Sequence, residues 1–535
     1  MLFFAKKDIL MRNKINCIII VVLLSLIHCT SKAETCYTDE CCNDQCYYSY
    51  PNSGSPFYRY RIKEDKTSQS FMFFHPAYQQ TAMRQSLWHN FVYNKTCDQT
   101  NAFQLIAFYE QSIDTKATAK YFLPFYKCDD DPCRNVAGDN AGINESDSAN
   151  IRRTRDIRAE WLGLPSDFSG NFCINPQQRQ TGVIFEFHTD LEKFIDWDFV
   201  RGFWLGITVP VIGQENKLNL EQWNIRNPST CYPHNIAEAF CQPNWNFGKI
   251  CCSRSTIGAA EVDIRVGRAY YSQNNFQLIY YTGLTFPTSP RQNAEYLFDS
   301  YLGYNGHWGM EAGFNSQIVL NCDDSVYAIC FFANLDTVFL MKNKQRRTFD
   351  LRCKPWSRFL PFVRRDGPPD ITCPGVNVLT FLMRVYPYNA TDFSCGWRIT
   401  SENFEAEIGY SVWGHGNERL EYVKNFDEAT GYEEWGITGT YNPHVDTVAV
   451  TASQSNISCQ APNDHEFVPI GQCDIDLDSG RARSAICHKA HFSIGAMHRG
   501  CCINSFFGAG AYVELPQTNT ALNRWGFWLK CGSVF

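Results

Sequence analysis

The chain has 535 residues, a net charge of −7 and a hydrophobic fraction of 44%, with 40 Phe, 27 Tyr and 13 Trp. That is more material than one small core needs, and the acidic balance argues against a general nucleic-acid binder. So many aromatics beside a slightly polar mean hydropathy suit a protein whose apolar residues alternate with polar ones.

In chain order, Lys6, Lys7, Arg12 and Lys14 precede an apolar run over 17–27, and Ser31-Lys32-Ala33 offers a small-x-small cleavage site. Residues 1–33 therefore read as a secretory signal, too short for the ~20 residues of a spanning helix. Of the 25 cysteines, Cys17 and Cys29 leave with it, and the odd remainder in an exported chain implies disulfides with at least one thiol left over. Cys41-Cys42, Cys251-Cys252 and Cys501-Cys502 are neighbours, so each member is expected to bridge elsewhere. Residues 34–100 form a Cys-rich N-terminal segment that could plug, cap or tether the remainder of the chain.

From 101 onward the period is two. Phe203, Leu205, Ile207, Val209 and Val211 alternate with Trp204, Gly206 and Thr208; Val262, Ile264 and Val266 oppose Glu261, Asp263 and Arg265. Leu278, Tyr280 and Leu284 share one face of the next run, and Trp308, Met310, Phe314 and Ile318 oppose Glu311, Gly313, Asn315 and Gln317. Phe404, Ile408, Tyr410 and Val412 do the same against Glu405, Glu407 and Gly409. Only strands place i, i+2 and i+4 on one face. Many of these runs are longer than the 5–6 residues common in soluble sheets and suit the ~9–11 of a membrane-crossing strand. Polar faces rich in Gly and charge do not suit a sandwich core, so the apolar faces are assigned outward. The fold expected over 101–535 is all-β, a closed antiparallel transmembrane β-barrel of 12–16 strands, best fourteen, with long loops partly filling the lumen. Asn235 to Phe240 is the best short helix. The alternative is a secreted, disulfide-rich soluble β-protein acting as an adhesin or binding module.

The chain ends Trp525, Phe527, Leu529, Cys531, Ser533, Phe535 on alternate positions. Here it resembles bacterial outer-membrane β-barrels, whose assembly machinery reads a last strand with alternate apolar residues and a terminal aromatic; Trp525, Phe527, Leu529 and Phe535 match that signal. Its cysteine content is similar, by analogy, to the cysteine-rich major outer-membrane proteins of host-associated bacteria. The resemblance implies an outer-membrane location after signal cleavage and a porin-like channel for passive diffusion of small hydrophilic solutes, with a disulfide-linked envelope role beside it. Its partners would be outer-membrane lipid, the barrel-assembly machinery and self-association. It also places 499–504 in an inner turn and 516–523 in an outer loop.

Candidate pore-lining or constriction residues are Arg346, Arg347, Arg352, Arg358, Arg364 and Arg365, in the most basic stretch, which would favour anions if it folds into the lumen. Glu311, Glu405, Glu407, Asp263 and Arg265 fall on inward faces. No enzyme is expected. His491 and Ser493 have the dyad spacing of outer-membrane phospholipases, but Ile494 stands where those carry Asn, and the pair faces the lumen. Asp474, Asp476 and Asp478 lack the turn glycine and bidentate Glu of a calcium loop. No cofactor or metal is expected.

Overall fold

The computed structural model describes residues 68–93 and 99–535, other than 124–131, 143, 145, 148–154, 196, 273–275, 322–325, 353, 368–371, 432–433, 439–466 and 501–502. The expected signal over 1–33, the cysteines at 36–46 and the Cys501-Cys502 pair lie outside the described residues.

Twelve strands make the wall: β1 (Asn101–Ser112), β2 (Gln177–Asp190), β3 (Phe203–Lys217), β4 (Glu261–Ser272), β5 (Phe276–Pro287), β6 (Gly309–Val319), β7 (Ala328–Leu340), β8 (Asn389–Thr400), β9 (Phe404–His415), β10 (Ala485–Arg499), β11 (Asn504–Pro516) and β12 (Arg524–Val534). Each pairs antiparallel with its neighbours in sequence. The last returns to the first in the register Ala102↔Val534 to Ser112↔Arg524, so the sheet has no edge. The Phe535 backbone finishes that seam, accepting from Asn101 N–H and donating to Asn101 O, both at 2.9 Å. A two-layer sandwich is excluded.

The wall has twelve strands, not fourteen, because period-two runs also occur outside it. Asn343–Thr348 pairs with Thr380–Tyr386, and that with Arg419–Tyr422, in a separate sheet. Ser253–Ala259 extends the pairing of β3 beyond the point where β4 takes over. The strand ends that flank the connections β2–β3, β4–β5, β6–β7, β8–β9 and β10–β11 lie at one mouth, with Asn101 and Phe535. The remaining connections start and end at the other, where their described parts build a cap, so Asn504 and Pro516 at the two ends of β11 lie at opposite mouths.

Alternation along the wall is regular. On β12, Trp525, Phe527 and Leu529 point out while Arg524, Trp528 and Lys530 are buried inside. Ile408 and Leu529 are 62% and 46% exposed, and outward aromatics accompany them: Phe286 meets Trp308 edge-on at 5.1 Å near the cap, and Phe331 meets Trp397 at 5.5 Å near the opposite mouth. An apolar outer face on an antiparallel sheet closed on itself is the construction of a membrane-spanning barrel. Among the described residues no helix is long and apolar enough to cross a membrane. Leu529→Arg is therefore expected to cost about 2–4 kcal/mol, read as a lower urea midpoint in lipid vesicles; an unchanged midpoint would show that this face does not meet acyl chains.

The cap has its own core. Asn235 caps the helix Ile236–Ala239 by accepting from Glu238 N–H, as its sequence suggests, and Phe240 then packs against Phe172, Trp356 and Phe359. Cys133–Cys173 and Cys241–Cys251 are disulfides, so Cys251 bridges away from its neighbour Cys252. Just before β6, His307 is held neutral: Nδ1–H donates to Met341 O at 2.7 Å and Nε2 accepts from Gln345 at 2.8 Å. Burial, with Arg347 and Arg291 nearby, pushes its pKa down to about 4. Since the unfolded chain binds the extra proton first, cap stability is full above pH ~6.5 and declines by about 3 kcal/mol as pH falls towards 4. Thermal melts across this window should show the decline, and His307→Gln should flatten it.

Candidate functional site

Residues 68–93 run through the lumen. The segment enters at the cap, where Gln69 N–H donates to Tyr121 O at 3.0 Å and Ser68 Oγ to Asp350 Oδ2 at 2.6 Å, and every residue from Phe71 to Asn90 is buried. It holds two short helices, α1 (Thr81–Gln85) and α2 (Trp88–Tyr93). Neither is long enough to persist alone in water. What orders them is the wall.

The contacts descend in sequence. His75 Nδ1 lies 2.9 Å from Glu514 Oε2, while its carbonyl accepts from Arg524 at 2.9 Å. Tyr78 OH donates to Glu261, and Gln80 Nε2 donates to Tyr512 OH at 2.9 Å. Thr81 N–H donates to Asp392 Oδ2 at 2.8 Å, starting α1 with a carboxylate from β8 in the place of an N-cap. At the other end of α1, Lys530 Nζ donates to Met83 O at 2.9 Å, Arg84 O at 3.1 Å and Ser86 O at 2.6 Å, closing off carbonyls that a helix end leaves open. Arg84 reaches Glu186 Oε1 at 3.2 Å, Thr208 Oγ1 at 3.3 Å and Asp336 Oδ2 at 3.6 Å, tying together β2, β3 and β7. Below it, Glu405 accepts from Leu87 N–H at 2.6 Å and Asn90 Nδ2 at 2.7 Å.

Shape matches chemistry at one point in particular. Leu87, in the left-handed region at φ 61°, turns the chain between the helices and points at Gly495 and Gly508 on adjoining strands. A Cβ at Gly508 would stand 2.2 Å from Leu87 Cδ1. The two glycines are the niche that lets the turn approach the wall.

No protein-family model matches the chain, and no curated protein matches it. Solved structures do. They include an outer membrane channel from Pseudomonas putida F1 (TM-score 0.35, 9% identity, covering 82% of this chain and 99% of that one) and a Pseudomonas aeruginosa FadL homologue (TM-score 0.26, 7% identity, 82% and 90%). A third is the transport unit of the autotransporter AIDA-I from Escherichia coli (TM-score 0.30, 7% identity, 85% and 97%). At these scores the likeness carries no argument about this chain.

The inward candidates are all on the lumen face. Arg265 Nη2 pairs with Glu311 Oε1 at 3.0 Å and Asp263 Oδ2 at 3.2 Å, and Arg398, which sequence reading passed over, pairs with Glu405 at 3.3 Å and Glu407 at 2.6 Å. His491 Nε2 lies 3.2 Å from Glu407, and Ser493 is buried on the same inner face. The six basic candidates lie elsewhere, in the 341–388 connection. Arg358 pairs with Asp350 at 2.6 Å, and Arg347 stacks over Phe71 at 3.5 Å and reaches Glu418 at 3.5 Å, both inside the cap. Arg352 bonds the Cys473 carbonyl, Arg346 lies over Phe247, Arg364 ends the short strand Pro361–Arg364, and Arg365 pairs at the surface with Glu434. The residues that hold the lumen segment, notably Arg84, Tyr78, Glu186, Asp336 and Lys530, were not among the candidates.

Proposed function

We propose that this chain is an outer-membrane channel that its own residues 68–93 keep shut, passing small hydrophilic solutes when that segment unpacks from the wall. One observation carries the reading: residues 68–93 fill the lumen and are tied to inward side chains of the wall by a ladder of ion pairs and hydrogen bonds, with apolar side chains such as Leu87 and Trp88 packed between them, inside a wall whose outside is apolar. The inner face left behind when the segment moves aside is polar and charged, and water can solvate it. Outer-membrane lipid would face the belt, and the assembly machinery would meet β12 and Phe535. No catalytic role is proposed.

The test uses the full chain with Gly508→Leu, which fills the niche of Leu87, reconstituted in planar bilayers. Sustained conductance is expected where the parent is mostly silent. A silent variant that still shows heat-dependent gel mobility would overturn the reading, and Lys530→Met supplies an independent release of the segment should Gly508→Leu fail to assemble.

A second role, as a disulfide-linked envelope scaffold, is favoured by the exposed thiols of Cys231 and Cys252 in the connection between β3 and β4. Multimers on non-reducing gels that vanish in the Cys231→Ser/Cys252→Ser chain would support it; multimers unaffected by that change would not.

A further inference from the structure

The charges inside the wall are unevenly spread. On the arc from β8 through β9, β10, β11 and β12 to β1, Arg398, Lys489, Arg524 and Lys530 stand against Glu405, Glu407, Glu514 and Glu110, so each carboxylate has a cation to balance it. The arc from β4 to β8 is different. Glu261, Asp263, Glu311, Asp336 and Asp392 are all buried there, and among the described residues the wall sets Arg265 against them, the other buried cation of this arc, Arg398 on β8, being paired with Glu405 and Glu407 of β9. Asp336 and Asp392 are direct partners across β7 and β8, where like charges repel.

The segment brings one guanidinium to this arc, Arg84, and otherwise offers neutral donors: Tyr78 OH to Glu261, Thr81 N–H and Oγ1 to Asp392. Even then the demand is not met. Glu261 Oε2, Asp263 Oδ1, both Asp336 carboxylate oxygens and Asp392 Oδ1 have no hydrogen-bond partner among the described residues. Buried carboxylate oxygens without donors call for positive charge or water.

We propose that the passage opened when residues 68–93 unpack selects cations, with the carboxylate arc of β4, β6, β7 and β8 as its selectivity surface. Unpacking withdraws Arg84 and admits water to five carboxylates facing one arginine, and fixed charge of one sign in a narrow lumen sets which ion enters. The buried arginines of the basic stretch, Arg347 and Arg358, are already matched within the cap by Glu418 and Asp350.

This rests on the channel reading, and the experiment separates the two. The full chain carrying the charge-neutral Gly508→Leu is placed in a bilayer across a potassium chloride gradient, and the reversal potential is read. Cations are expected to pass several-fold faster than anions, and adding Asp336→Asn/Asp392→Asn should reduce that ratio while conductance persists. A conducting lumen that is non-selective or prefers anions, or a ratio untouched by the double change, overturns the inference and leaves the channel standing. Absence of any conductance in assembled protein removes the channel and this inference with it.

Discussion

Arg84→Ala is expected to loosen the lumen segment by about 3–5 kcal/mol and to convert a mostly silent protein into a conducting one. Arg84 is 4% exposed, and truncation would leave Glu186 and Asp336 buried without their shared cation. Breaking a buried pair from one side is costlier than the pair is worth, because the surviving charge remains desolvated. The cheapest remedy is water, and water reaches these carboxylates when the segment moves aside. Arg84→Lys should recover part of the loss, since an ammonium restores charge without the fork that spans two strands. Bilayer recordings together with urea midpoints check both statements. A variant as stable and as silent as the parent would show that Arg84 does not hold the segment.

The second large effect is expected from Asp350→Ala, again about 3–5 kcal/mol, but confined to the cap. Asp350 accepts from Arg358 Nε at 2.9 Å and Nη2 at 2.6 Å, from Arg358 N–H at 3.0 Å, and from Ser68 Oγ at 2.6 Å. Without it the fully buried Arg358 guanidinium would have, among the described residues, Ser68 alone to bond. Because the seam between β1 and β12 does not involve these groups, the wall should stay closed. Limited proteolysis ought to cut the long connections of the variant rapidly while its heat-dependent mobility persists; loss of both would mean that cap and wall do not separate energetically.

The wall was legible in the sequence because it rests on a two-residue period, and Glu311, Asp263, Arg265, Glu405 and Glu407 fall inside for that reason. The ending was legible on the same grounds: Phe535 completes the seam. Strand number was not, since Asn343–Thr348 and Thr380–Tyr386 alternate no differently from wall strands and only their partners tell them apart. Nor does a run of arginines state where it lies, and the basic stretch belongs to the cap.

The lumen segment was hardest to find. Gln79, Gln80, Thr81, Arg84, Gln85, Ser86, His89 and Asn90 are buried yet polar, because their surroundings are the polar faces of strands. Its one advance signal is indirect: inward carboxylates on β4, β6, β7 and β8 outnumber the cations near them, and something must face them.

The segment joins Ser68 at one mouth to Asn101 at the other. A cord fixed at both openings cannot simply be drawn out. If it slackens towards the cap, a stretch of backbone still climbs through the bore to reach Asn101. The clear aperture is therefore smaller than a twelve-stranded cylinder alone would give, and its size is set by how thinly that cord can be stretched.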